Sequence, residues 1–196
     1  IALYEAGAEA RFTQVDLRTK RLADGSDFFE INPLGQVPVL RLDTGETLTE
    51  NAVVLQYVAD RYRDAGLAPE GGLERYRLQQ WLSFIATELH KAVFVPLLAS
   101  GGTEGARDFA RQQAPRRFAH LARHLADREH LLDRFGIADA YLTTVLSWSF
   151  ATKIDLAEWP AVRAYHARML KRPSIAKALA EERALYAEEQ ARHAAT

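Results

Sequence analysis

The apolar residues of this chain keep two different periods, and the change between them limits the possible folds more than any other feature of the sequence. Up to about residue 63 they come in short alternating runs broken by turn signals, whereas from residue 72 onward only helical spacing is found. In the first part, residues 11–17 (RFTQVDL) have the β-branched and aromatic enrichment of a strand. Polar residues then run through Asp27, and a short FFEIN piece leads to Pro33. VPVLRLD and ETLTE flank Asp43-Thr44-Gly45, which predicts a hairpin pairing residues 39–42 with 47–49. A helix is predicted from Glu50, capped by Thr49. Its apolar positions Val54, Tyr57, Val58 and Tyr62 stop near Asp64-Ala65-Gly66.

Beyond DAGLAPEGG, Leu78, Trp81, Leu82, Ile85 and Leu89 form one helical stripe, and Ala138, Tyr141, Leu142, Val145 and Leu146 a second; both are predicted to face a core. Residues 103–132 are helical in period but contain Pro115, which lacks a backbone donor and is expected to kink or divide that helix. Pro160 and Pro173 suit helix starts. The tail from Ala176 is rich in Ala, Glu and Arg and is expected to fray at its end. The predicted division is a small α/β unit over residues 1–63, a linker over 64–71 and an all-helical unit over 72–196. Ile1, Leu3 and Tyr4 followed by Gly7 read as the last turns of a helix closed by glycine. With no initiator methionine, the expectation is that a first strand and the start of this helix precede Ile1.

Composition narrows the function. Lys plus Arg number 25 against 26 Asp plus Glu, so a net charge of -1 offers no basic stripe for phosphates, and nucleic acid is not expected as a partner. The absence of cysteine excludes a disulfide framework or a thiolate metal site within these residues and fits a reducing compartment. The longest apolar run, residues 92–99, is far shorter than the roughly 20 residues of a membrane span. The expectation is a cytoplasmic protein with no membrane partner.

Within NPLGQVPVL (residues 32–40), Pro38 stands at the start of a strand, where its missing donor does least harm. Two readings are open from the dipeptide. One is a tight turn that merely begins the strand. The other is a cis Val37-Pro38 bond that turns the N–H and C=O of Val37 outward as an unpaired edge for an extended peptide.

The surrounding residues carry a resemblance. NPLGQVPVL, a hairpin and LTENAVVLQYVADRY, followed by an all-helical remainder, resemble the glutathione transferases. VDLRTKRLADGSDFFEINPLGQVPVL, RYRLQQWLSFIATELHK and ADAYLTTVLSWS look like the bacterial beta class, the likeness running from Ile1 to about Arg183. The resemblance implies a thioredoxin-like α/β domain, its first strand absent from this chain, followed by a helical bundle. It also implies a homodimer with sites between one subunit's α/β domain and the other's helices. The implied substrates are glutathione and a hydrophobic electrophile or disulfide, with no metal.

Residue by residue, the resemblance implies that the Val37 backbone beside Pro38 pairs with the main chain of the glutathione cysteine. Glu50 and Asn51 would hold the γ-glutamyl end at a helix start, where free N–H groups favour a carboxylate and Glu50 an ammonium. Asn51 stands where the family more often has serine; its amide also donates. Lys20 would serve a carboxylate. His90 matches the histidine near the thiol in a supporting catalytic role, and Lys91 the adjacent lysine that reaches the partner subunit's ligand. Ser83 stands where the class usually has asparagine. The main thiol-activating residue, commonly cysteine, is expected before Ile1. Gly136 replaces the usual Ser or Thr cap of an internal helix, which removes half of a reciprocal capping box and leaves Asp139 to fold back onto backbone donors.

The alternative is a non-catalytic protein on the same fold, serving regulation or assembly. His120 and His124 have a metal-binding spacing but no evident third ligand and read as helix-surface residues. Trp81, Trp148 and Trp159 read as packing residues.

Overall fold

The structure, a computed structural model, describes residues 1–194. Helix α1 (Ala2–Glu5) closes through Gly7 at φ 60°: Ala8 N–H donates to Leu3 C=O (2.9 Å) and Gly7 N–H to Tyr4 C=O (3.2 Å). This is the expected glycine cap, and it satisfies carbonyls that the last helical turn leaves free.

Strands β1 (Val15–Asp16) and β2 (Arg21–Leu22) pair antiparallel, with Val15 opposite Leu22. The strand expected over residues 11–17 is therefore cut to two residues, and β2 was not expected. Asp16 ends β1, because its Oδ1 accepts the N–H groups of Arg18 (3.0 Å) and Thr19 (2.8 Å) and so turns the chain back at once; on the other side, residues 11–14 join no strand. Strands β3 (Leu40–Arg41) and β4 (Thr47–Leu48) form the predicted second hairpin, narrower than expected and separate from the first.

Helix α2 (Asn51–Arg61) begins one residue later than predicted, and its cap is Glu50, not Thr49. The chain leaves β4 with Glu50 at φ 61°, so the Glu50 carbonyl accepts from Val53 (2.8 Å) and Val54 (3.0 Å) and Thr49 is left outside the turn.

The remaining elements are helical. Helix α3 (Gly72–Phe84), a π-helical stretch (Ile85–Phe94) and α4 (Val95–Leu98) continue into one another as a single rod. By length and composition this rod could cross a membrane. Its apolar stripe, Leu78, Leu82, Ile85 and Leu89, instead lies in the helical core with 0–1% exposure, as the sequence periodicity predicts. Helix α5 (Glu104–Leu125) continues through Pro115 and stops at Leu125. The proline does not divide the helix, because Ala110, Ala114, Phe118, Leu121 and Leu125 are all buried along one face, and that packing outweighs the lost backbone bond.

Helix α6 (Ile137–Ser147) is buried nearly all round and forms the centre, with α7 (Ser149–Thr152), α8 (Pro160–Met169) and α9 (Pro173–Ala194) around it. Both late prolines begin helices as predicted. The expected fraying at the tail falls on Ala195 and Thr196, outside the described residues.

Buried Asp139 accepts from Gly136 N–H (3.0 Å), Leu131 N–H (2.9 Å) and Tyr165 O–H (2.7 Å), which is the half box expected without a hydroxyl at residue 136. The structure also explains the glycine. A Cβ there would lie 2.6 Å from the Leu67 carbonyl oxygen, which accepts from Ile137 N–H at 3.0 Å.

Several polar links fasten the first third of the chain to the helices. Arg75 on α3 forks onto both oxygens of Asp60 on α2 (2.9 Å each). Glu5 on α1 accepts from Arg172 Nε (2.5 Å) and Nη2 (2.7 Å) and from the Ser174 hydroxyl, and the Tyr4 hydroxyl meets Glu181 on α9. The first of these holds α2 against α3, and the other two hold α1 against α9 and the turn before it.

Candidate active site

The loop before β3 is built by a buried asparagine. Asn32 accepts Leu34 N–H on Oδ1 (3.1 Å) and donates from Nδ2 to the Gln36 carbonyl (2.7 Å), while its own carbonyl accepts Gly35 N–H (2.8 Å). The loop delivers Val37 and Pro38 to the surface with a cis peptide bond between them. Among the described residues, neither the N–H nor the C=O of Val37 has a hydrogen-bond partner, and the residue is 46% exposed. Of the two readings open from the dipeptide, the structure has the cis bond, with the Val37 backbone unpaired. Lys20, at φ 57° in the β1–β2 turn, donates from Nζ to the Gly35 carbonyl (2.9 Å), so it braces the same loop rather than standing free in solvent.

Glu50 and Asn51 lie at the start of α2, facing the helical half. Among the described residues the N–H groups of Asn51 and Ala52 have no partner, as the first turn of a helix leaves them. Opposite them is His90, half-buried in the π-helical stretch, with Nδ1 2.8 Å from the Tyr141 hydroxyl on α6. Its ring meets Trp148 edge-on at 4.8 Å. A wide π-turn inside a helix re-aims the side chains it carries, and such turns recur at functional sites.

The electrostatics of this cluster are coherent. Burial is the main cause that holds the His90 pKa below its ordinary value; the Lys91 charge adds to it and Glu50 opposes it. Burial pushes Tyr141 up to about 12, with Glu50 adding to the rise and the Asn51 amide countering it. At neutral pH Tyr141 therefore keeps its proton and His90 is neutral, and in the tautomer that leaves Nδ1 bare the phenol donates to it. The remaining proton of that imidazole then sits on Nε2, a donor for an electron-rich atom. Lys91 is exposed, one residue further along.

Glu50, Asn51 and His90 thus meet Tyr141 at one place, Lys91 stands beside it, and Lys20, Val37 and Pro38 form the neighbouring loop cluster. Ser83 is exposed on α3 and contributes no side-chain bond here. Tyr141 and Trp148 read as packing residues in the sequence, and their place beside His90 had no signal beyond the helical spacing that made them core. Asn32 opened the quoted loop without being singled out. His120 and His124 pack on Trp81, with ring centroids 5.8 and 4.3 Å away, and His124 Nε2–H donates to the Leu131 carbonyl (2.8 Å). Trp159 stacks on Phe118 at 4.6 Å. Two surface clefts lie elsewhere, one of about 510 Å³ beside Asp60–Ala65 and one of about 440 Å³ between α3 and α5.

Both halves of the chain are similar to known proteins. Residues 1–61 match the glutathione S-transferase N-terminal domain and residues 84–173 the C-terminal domain. The chain belongs to the glutathione S-transferase family. It is 42% identical to glutathione S-transferase GstA of Escherichia coli O157:H7 over 185 residues, 93% of this chain and 91% of the relative. Among solved glutathione S-transferases, the bacterial beta-class protein of Sphingomonas chungbukensis is 44% identical with a TM-score of 0.88, covering 92% of this chain and 90% of that one. A sphingomonad glutathione S-transferase complexed with glutathione is 44% identical with a TM-score of 0.87 and the same coverage. The glutathione S-transferase fold, a thioredoxin-like unit followed by helices, and the beta class are thereby those expected from the sequence.

Proposed function

We propose that this glutathione S-transferase binds glutathione along the Val37 edge and the start of α2, stabilises its thiolate, and transfers the sulfur to a hydrophobic electrophile or disulfide. The observation that carries this reading is the meeting of His90, Tyr141, Glu50 and Asn51 across the two halves of the chain, beside an unpartnered backbone edge at Val37.

The chemistry follows from the ligand. The cysteine main chain of glutathione is a short extended segment whose N–H and C=O suit the free C=O and N–H of Val37. Its γ-glutamyl carboxylate fits the free N–H groups at the start of α2, and its ammonium fits the Glu50 carboxylate. Lys20 offers a cation for a carboxylate from the turn behind the loop. His90 carries its remaining proton on Nε2 and can donate it as a hydrogen bond to the thiolate, which favours the ionised, nucleophilic sulfur.

The working division is a glutathione-binding unit over residues 1–63, a linker over 64–71 and a helical unit over 72–196. A homodimer is part of the reading, with Lys91 serving the partner subunit's ligand; exposed Tyr57 on α2 and Leu73 and Tyr76 on α3 supply apolar surface for it. A reducing cytoplasm suits a cysteine-free sequence, and conjugation of electrophiles there is a detoxifying reaction. No metal, nucleic acid or membrane enters this mechanism.

Calorimetric titration with glutathione, followed by turnover with an activated aromatic halide, tests the proposal. Saturable binding with conjugation supports it; binding without conjugation of any electrophile would favour a regulatory or assembly role for the same fold.

A further inference from the structure

Outside the His90 cluster, three metal-ligating side chains converge where β1 meets the end of α9. Glu189 and His193 are four apart on α9, so they lie on one face of the helix. Asp16 reaches them from β1. The ligand atoms of all three lie within 4.8 Å of one another, and Asp16 Oδ2 is 2.6 Å from His193 Nε2. We propose that Asp16, Glu189 and His193 form a site for a first-row divalent metal ion of the zinc type, which clamps α9 to the β1–β2 hairpin.

The orientation of each ligand is already set. Asp16 Oδ1 is held by Arg18 and Thr19 N–H groups, which leaves Oδ2 aimed at His193. Glu189 Oε1 accepts Leu17 N–H at 3.2 Å. Outer contacts of this kind fix the direction of metal-binding side chains. Charge points the same way. Glu189 is 9% exposed. Burying a carboxylate is costly, and a dication shared with Asp16 offsets that cost.

Imidazole nitrogen with two carboxylate oxygens suits zinc and its neighbours better than calcium or magnesium. Bonds of ~2.0–2.2 Å place tetrahedral donors roughly 3.3 Å apart, so small side-chain adjustments suffice, with water as the fourth ligand. On binding, any proton shared by Asp16 and His193 leaves to solvent and the metal takes its place. The ligands are 173 and 177 positions apart along the chain, which is why the sequence suggested no metal. The site is independent of the glutathione reading.

The test is calorimetric titration of the chelator-washed full chain with Zn²⁺ alone, with thermal unfolding measured with and without the ion. Expected are one ion per chain and a rise in Tm. Glu189→Gln, which keeps an acceptor for Leu17, and His193→Gln should each weaken binding tenfold or more and abolish the Tm rise, while His120→Gln and His124→Gln leave both unchanged. Absence of saturable binding overturns the proposal. So does binding unaffected by the Glu189 and His193 substitutions, or binding lost with His120 or His124.

Discussion

The Tyr141 hydroxyl lies 2.8 Å from Nδ1 of His90. Because burial pushes Tyr141 up to about 12 and holds His90 below its ordinary pKa, the phenol keeps its proton and the imidazole is neutral, so the phenol is the donor in the tautomer that carries its proton on Nε2. In the proposed mechanism Tyr141 is a positioning residue: it favours that tautomer and sets the ring angle of His90. Tyr141→Phe is expected to lower kcat about tenfold, the size of one lost hydrogen bond to a half-buried partner, with little change in glutathione affinity. Steady-state kinetics beside calorimetry separates the two. A loss confined to affinity would mean that His90 does not depend on Tyr141 for its chemistry.

Glu50 joins function to backbone strain. It is exposed and non-glycine, yet it sits at φ 61°, a conformation that sites hold only when the surroundings impose it. Glu50→Ala should weaken glutathione binding by about 1–3 kcal/mol through the lost charged hydrogen bond. Glu50→Gly should lose the same affinity while unfolding at a higher denaturant concentration than Glu50→Ala, because glycine adopts that φ at a cost lower by about 1 kcal/mol. Equal stability of the two variants would show that the turn relaxes when the side chain is shortened.

Gly136 is fixed by a near neighbour. Its own φ of -154° is open to any residue, so the constraint is the Leu67 carbonyl oxygen 2.6 Å from where a Cβ would stand. Gly136→Ala must push the residue 67 segment away from the start of α6 and disturb the Ile137 to Leu67 hydrogen bond. A destabilisation of about 2–3 kcal/mol is expected in urea unfolding, within the range for overpacking a buried site. Gly136→Ser should fare no better, although serine is a good cap elsewhere.

What the sequence made legible follows from how local each signal is. The helical stripes through Leu78 and Leu142, the glycine cap at Gly7, the second hairpin and the helix starts at Pro160 and Pro173 are set by neighbours a few residues apart. The cap of α2 was misplaced by one residue because the turn at Glu50 depends on how the chain leaves β4. Pro115 was expected to break a helix that tertiary packing keeps whole. The glutathione-site candidates were found through motif resemblance. Tyr141 was hidden because a core tyrosine and a histidine partner share the same spacing. Gly136, a departure from the family's cap, made sense only when Leu67, 69 positions earlier, was seen against it.

Acid stability tests the buried imidazoles together. Burial is the main cause that holds His90, His124 and His166 below the ordinary histidine value of 6.5. Lys91 lowers His90 further while Glu50 opposes; the Leu131 carbonyl opposes at His124, and a bond to the Thr143 carbonyl opposes at His166. Unfolding exposes each ring, which then takes a proton near pH 6.5 that the folded form refuses until lower pH. The unfolded state therefore binds more protons across this interval, and stability falls as pH is lowered below about 6.5. Each histidine contributes at most about 1.4 kcal/mol per pH unit. Tm should be level above pH 7.5 and decline between pH 6.5 and 5, and His124→Gln should make the decline shallower. A Tm that holds constant down to pH 5 would mean that the folded protein protonates these rings as readily as the unfolded chain does.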